Sequence, residues 1–270
     1  LANTESLQPD ELPSNVYNTT IKDIAGLKDY RQIFKIVNAH FAQPDSTEFR
    51  ITDGNEFDIR TIKTRSKVNW AIQKTVLHFI NADHEALASS VFQEHIPDQD
   101  RKFAFFWHLC LNNRLFREIT TRVFVKTYFS GRAQISQEDI IAFVKDISDK
   151  NDPSKPSWSE DTLYRVATKY LSLMTKFDFV TSGRTKTFNQ IRPSSEALTL
   201  FLYFARLYQP TVANILKSRL LPTCFITAED IQSRLKKLSI QGFFHMSFNG
   251  VELNVELTHS YKEICDVLYR

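Results

Sequence analysis

The chain has 270 residues, 42% of them hydrophobic, which is enough to bury an ample core in one or two compact units. A net charge of +3 is too small to indicate a nucleic-acid partner by itself. Three widely spaced cysteines without a CxxC pair argue against a disulfide framework or a zinc site and fit a reducing cytoplasm. No apolar run approaches the ~18 residues that a membrane span needs.

Six glycines and 22 phenylalanines predict helices packed face to face rather than a large sheet. Residues 1–20 are polar, contain Pro9 and Pro13, and read as a loose arm without the pattern of a signal peptide. From 21 to 41 the spacing of Ile24, Leu27, Ile33, Phe34, Val37 and Phe41 predicts an amphipathic helix, with a break at Gly26. A second helical pattern covers 59–80 and opens on Arg60, Lys63, Arg65 and Lys67 interleaved with hydroxyl residues. Short hydroxyls beside long cations suit phosphate oxygens, although a solvated helix start has the same composition. After Pro97, residues 98–129 predict one bent helix or two, closed by Gly131.

Residues 135–193 carry the clearest outline. Ser136 is followed three positions on by Asp139, and Ser157 by Glu160, so two capped helices follow one another. The second has an apolar face of Leu163, Val166, Ala167, Tyr170, Leu171 and Met174. Its other side holds Thr162, Arg165, Lys169, Ser172 and Lys176. Two alternating stretches, 177–181 and 185–192, flank Ser182-Gly183-Arg184 and predict a hairpin with Arg184, Lys186 and Arg192. This order predicts a winged-helix-like unit in which Arg165, Lys169, Arg184, Lys186 and Arg192 contact the phosphates of a DNA groove, with Thr162 and Ser172 as weaker hydroxyl partners. The same outline also serves as a plain protein-interaction module. Glu160 and Asp161 favour the helix dipole but would repel phosphate.

Beyond it, 195–208 is strongly apolar and predicts a core helix, and 211–220 a further helix up to Pro222. Residues 226–231 echo the capped start at 135–140, Gly242 is the expected C-cap, and Asn249-Gly250 predicts a type I′ hairpin turn. This second helix-plus-hairpin unit has Glu252 and Glu256 but no Lys or Arg between 243 and 257, so it reads as a packing or docking element. Charge distribution separates the regions. Residues 1–100 hold 10 Lys and Arg against 15 Asp and Glu, 101–192 hold 16 against 9, and 193–270 hold 8 against 7.

No catalytic constellation emerges from the sequence. The histidines lack metal-ligand spacing, no glycine-rich phosphate loop or GxSxG elbow is present, and paired carboxylates sit in helix first turns. The expectation is a protein that is not an enzyme and needs no cofactor or metal.

The segments RTIKTRSKVNWAIQKTVLHFI (60–80), NNRLFREITTRVFVKTYF (112–129) and PSWSEDTLYRVATKYLSLMTKFDFV (156–180), with the closing helix and hairpin, resemble the BrxA family of bacteriophage exclusion (BREX) defence systems. The resemblance covers most of the chain after about residue 50. It implies a cytosolic helical DNA-binding accessory protein acting beside a methyltransferase and ATPases, and supplies no catalytic motif to carry over.

The combined expectation is a mostly α fold with winged-helix-like units. Its divisions are an arm (1–20), a helical domain (21–130), a winged-helix-like unit (131–193) and a C-terminal helical and hairpin unit (194–270). The expected partners are double-stranded DNA and other BREX proteins, with no membrane. The competing expectation is a scaffold that docks within a defence complex without touching DNA.

Overall fold

The computed structural model describes residues 16–27, 29–42, 59, 61–149, 152 and 155–270. Arg60 and most of the expected N-terminal arm lie outside the described residues. Among the described residues the architecture is mostly helical, with two small antiparallel pairs of strands. Helix α1 (Ile21–Ile24) stops at Gly26, where an added Cβ would lie 3.0 Å from the Asp23 carbonyl oxygen, and α2 (Tyr30–Ala42) follows. Helix α3 (Ile62–Ala71) runs into a wider π-turn, Ile72–Val76, and α4 (Ala82–Val91) is capped by Asn81.

Helix α5 (Asp98–Asn112) is buried continuously from Phe103 to Asn112, as its apolar run demands. The expected 98–129 helix is interrupted twice. Asn113 takes an extended conformation and its Oδ1 accepts from the Phe116 N–H to start α6 (Arg114–Ile119); a π-turn, Thr120–Phe124, then leads into α7 (Val125–Phe129).

Strand β1 (Gln134–Ile135) precedes α8 (Gln137–Ile147) and α9 (Glu160–Lys176), which pack against each other. Strand β2 (Lys186–Thr187) returns to pair with β1, with Gln134 opposite Thr187 and Ile135 opposite Lys186. The expected first strand at 177–181 is mostly a turn. Phe177 and Phe179 both enter the core because Asp178, at φ 64°, turns outward in the left-handed region, leaving Val180 as a single bridge to Phe188. Ser159, rather than Ser157, caps α9.

Helix α10 (Ser195–Tyr208) lies along α5, and Trp107 meets Phe201 and Phe204 at 5.4 and 6.0 Å between ring centroids. In place of the helix expected at 211–220 the chain makes two 3-10 turns, Ile215–Lys217 and Leu221–Cys224. Asn214 caps the first and Pro222 opens the second. Helix α11 (Ala228–Ile240), strands β3 (Phe244–Phe248) and β4 (Leu253–Leu257) and α12 (Ile264–Leu268) complete the chain. Phe248 pairs with Leu253, so the β3–β4 loop has more than the two residues of a type I′ turn. Asn249 Oδ1 accepts from the Val251 and Glu252 N–H groups, while Gly250 supplies the positive φ.

The π-turn at Ile72–Val76 frees carbonyl groups inside the core, and polar side chains of α5 satisfy them. Asn112 donates to the Thr75 and His78 carbonyls, both at 2.8 Å. The Ile80 N–H donates to His84 Nδ1 at 3.2 Å, so the His84 proton sits on Nε2 and is donated to His108 Nδ1 at 2.9 Å. His108 therefore donates from Nε2 to the Val76 carbonyl at 2.8 Å. Burial is the main reason that His84 is pushed down to about 2 and His108 to about 4.

Both rings stay neutral in the folded protein, whereas in the unfolded chain they take up protons near the ordinary value of about 6.5. Stability conferred by the pair is complete above that value and is lost as pH falls below it. Between pH 7 and about pH 5.5, the urea-measured unfolding free energy is expected to drop by roughly 1 kcal/mol per histidine. His108→Gln, which cannot take up this proton, should reduce that drop; an unchanged pH dependence would remove His108 as its source.

Candidate nucleic-acid interface

An open groove of about 750 Å³ runs between the start of α8, one stripe of α9 and the turn before β2. Its position follows from local chemistry. Ser136 Oγ accepts from the Asp139 N–H, and an Asp139 carboxylate oxygen accepts from the Ser136 N–H, so a reciprocal cap starts α8 directly after β1. Both Asp139 oxygens also receive Arg132, at 3.0 Å each. The Arg132 guanidinium is the chief reason that the Asp139 carboxyl lies below its ordinary range, and Asp139 in turn raises Arg132. Arg132 at the groove edge is thus a braced cation with its charge largely answered.

Across from it, Tyr164, Thr168 and Leu171 of α9 line the groove at i, i+4 and i+7. Tyr164 is 57% exposed, a large aromatic left facing solvent. Gln137 on α8 donates to Thr168 Oγ1 and, at 3.3 Å, to the Tyr164 carbonyl, while Thr168 Oγ1 donates to that same carbonyl at 2.9 Å. These contacts fix the two helices relative to each other at the groove floor. The far wall is the turn Ser182-Gly183-Arg184-Thr185 and Lys186. Lys186 Nζ donates to the Thr181 and Ser182 carbonyls at 3.3 and 3.4 Å, so it braces its own turn. Arg184 is exposed and has no carboxylate partner among the described residues.

Of the described residues anticipated as phosphate contacts, Arg184 and Lys186 line the groove and the others do not. Arg165 is displaced about 100° around α9 from Tyr164. It is 65% exposed and pairs with Asp161 through Nε at 2.8 Å. Lys169 and Ser172 are half-buried on the same flank. Lys176 turns away to donate to the Ala25 and Leu27 carbonyls; burial, and then Lys169, lowers its pKa. The Thr162 hydroxyl bonds with Ser159 Oγ at 3.0 Å within the α9 cap. Arg192 is exposed beyond the turn, near Arg234, which burial and then Arg192 lower. On α3, Lys63 and Lys67 are exposed and Arg65 is half-buried; none lines the groove, and Arg60 lies outside the described residues.

Sequence reasoning did not select Tyr164, Thr168, Gln137 or Arg132. The available signal was a large aromatic on the polar side of α9, one position before Arg165.

The BrxA family model matches residues 16–202, which includes the whole groove. No curated protein and no solved structure gives a significant match.

The cap at the start of α8 sets the groove's floor. Ser136→Ala is expected to lower the unfolding free energy by about 1 kcal/mol. Asp139→Ala should lower it further because Arg132 also loses its partner. Equal losses in urea titrations would show that the Arg132 pair adds nothing.

Proposed function

The chain belongs to the BrxA family, and from this membership and the groove we propose that this BREX phage-defence protein is a non-enzymatic DNA-binding accessory protein. It contacts duplex DNA mainly through the backbone. The observation that carries the reading is the placement of Arg184 and Lys186 across one groove from the exposed face of α9. A helix about 10–12 Å across fits a major groove about 12 Å wide, and cations beside it reach the flanking phosphates.

In this reading Arg184, Lys186, Arg192 and Lys169 contact phosphates, with Thr162 and Ser172 as weaker hydroxyl partners and Arg165 on the helix between them. Lys63, Arg65 and Lys67 of α3 form a flanking patch. The buried acids and bases have structural employment, which supports a role without catalysis. His84 and His108 serve the π-turn, and Asp100 accepts from Ser194 Oγ at 2.7 Å and the Tyr269 hydroxyl at 3.0 Å.

A second reading, an adaptor that docks onto other BREX proteins, is favoured by Ile240, Val251 and Phe248. These side chains are 80%, 78% and 39% exposed at the C-terminal helix-and-hairpin unit. Co-purification that is lost in Ile240→Asp/Val251→Asp, with no salt-dependent DNA binding by the parent protein, would select the adaptor.

Fluorescence anisotropy with a labelled duplex at several salt concentrations tests the DNA reading. Affinity should fall as salt rises, and Arg184→Ala/Arg192→Ala should flatten the log–log slope by about 1.8, since each phosphate contact contributes about 0.9. A wild-type protein that leaves the duplex free at low salt would end this reading.

A further inference from the structure

The exposed side of α9 is not a uniform cationic strip. Asp161, Tyr164, Arg165 and Thr168 recur at i, i+3, i+4 and i+7 and so form one patch. Asp161 and Arg165 are 67% and 65% exposed and Tyr164 57%, and Thr168 is exposed. Resting on the DNA reading above, we infer that this patch reads base sequence in the major groove, with Arg165 as the guanine-recognising side chain and Asp161 as the residue that positions it.

The argument starts from the guanidinium. Its Nε lies 2.8 Å from Asp161 Oδ2, and it pairs with no other carboxylate among the described residues. The contact is an ion pair without an aligned N–H···O hydrogen bond, and the edge formed by the two terminal nitrogens has no partner among the described residues. That edge matches the O6 and N7 acceptors of guanine, which phosphate-directed cations do not distinguish. Because Asp161 lies one turn earlier, its charge biases, without fixing, where the guanidinium lies before binding. It also cancels much of the charge that would otherwise draw Arg165 to a phosphate.

The neighbours point the same way. The Thr168 hydroxyl already donates to the Tyr164 carbonyl and accepts from Gln137, so its methyl group is the part of this exposed side chain that has no polar partner. With the Tyr164 ring beside it, this makes an apolar spot suited to the C5-methyl of thymine. Gln137 and the groove contacts hold these residues on a rigid helix, as base recognition requires.

Selection of bound duplexes from a randomised pool by the full chain, followed by competition titrations, tests the inference. The wild type is expected to enrich a motif containing a guanine. Replacing that guanine by 7-deazaguanine, which lacks the N7 acceptor, should weaken binding about tenfold relative to an unrelated duplex. Arg165→Lys, which keeps the charge but loses the fork, should shrink the ratio of specific to non-specific affinity by a similar factor. Asp161→Asn should also reduce that ratio while raising affinity for unrelated duplexes, because a negative charge is removed. Arg184→Ala should weaken both affinities together.

Salt-dependent binding with no enriched motif would overturn the inference and leave the DNA reading standing. A motif indifferent to 7-deazaguanine and to Arg165→Lys would overturn the assignment of Arg165. Absence of any duplex binding would overturn both.

Discussion

Burial of α5 on nearly all sides is the constraint from which the rest of the structure follows. A helix this deep leaves its polar groups with no water to satisfy them, so each must find a protein partner. At its C-terminal end Arg117, itself buried, donates to the Cys110 carbonyl at 2.7 Å and stacks over Tyr208. This places a positive charge where the helix dipole favours one. At the start Asp100 is joined to Ser194 before α10 and to Tyr269 after α12; burial raises its pKa despite these bonds. Over its last turns, His108 and Asn112 serve the π-turn. Elements distant in sequence therefore meet on one helix, each through a named polar contact as well as through apolar packing.

The groove inherits its rigidity from that centre. Phe106 of α5 meets Phe177 and Phe179 at 5.5 and 5.0 Å between ring centroids, pinning the chain that leaves α9. The Tyr170 hydroxyl on α9 bonds with Thr120 Oγ1 at 3.0 Å, inside the second π-turn, and Phe124 of the same turn packs edge-on against Phe188 beyond β2. Helix and turn are thus both fixed to the core before any ligand arrives. A preformed surface of this kind does not meet the ordering cost that a mobile loop would incur on binding.

The long amphipathic helices were legible in the sequence because capping chemistry and spacing agree. Ser136 with Asp139 marks α8, and the apolar set from Leu163 to Met174 is buried as its period requires. What was not legible depends on tertiary contact. The alternation at 177–181 resembles a strand, yet Phe177 and Phe179 both go inward because an aromatic cluster is waiting there and Asp178 adopts a left-handed conformation to allow it. Likewise, nothing local shows that Lys176 turns to the carbonyls of Ala25 and Leu27 or that Lys186 braces its own turn. A helical projection gives the polar side of α9, but only the neighbouring α8 and the turn before β2 select the Tyr164 stripe within it.

The acidic start of α9 would repel phosphate from the proposed nucleic-acid surface, and the pairing of its charges reduces that repulsion. Glu160 faces Lys145 at 3.8 Å and Asp161 pairs with Arg165, so each carboxylate stabilises the positive end of the helix dipole while a cation offsets its outward field. In physiological salt, exposed charges are screened beyond about 8 Å. A phosphate placed near Arg184 would therefore respond to the local charges around the groove, the exposed Glu138 included, far more than to the whole-chain charge of +3. The excess of 16 basic over 9 acidic residues across 101–192 is a better guide, and even that count needs discounting. Arg101, Lys102, Arg114, Arg132, Lys145 and Arg165 are paired with carboxylates, and Arg117, Lys176 and Lys186 donate to carbonyls. In the proposed DNA reading, the cations left for a partner are Arg184 at the turn before β2, Arg192 beyond it and Lys169 on the flank of α9, so affinity would rest on few side chains and discrimination on how their neighbours are held.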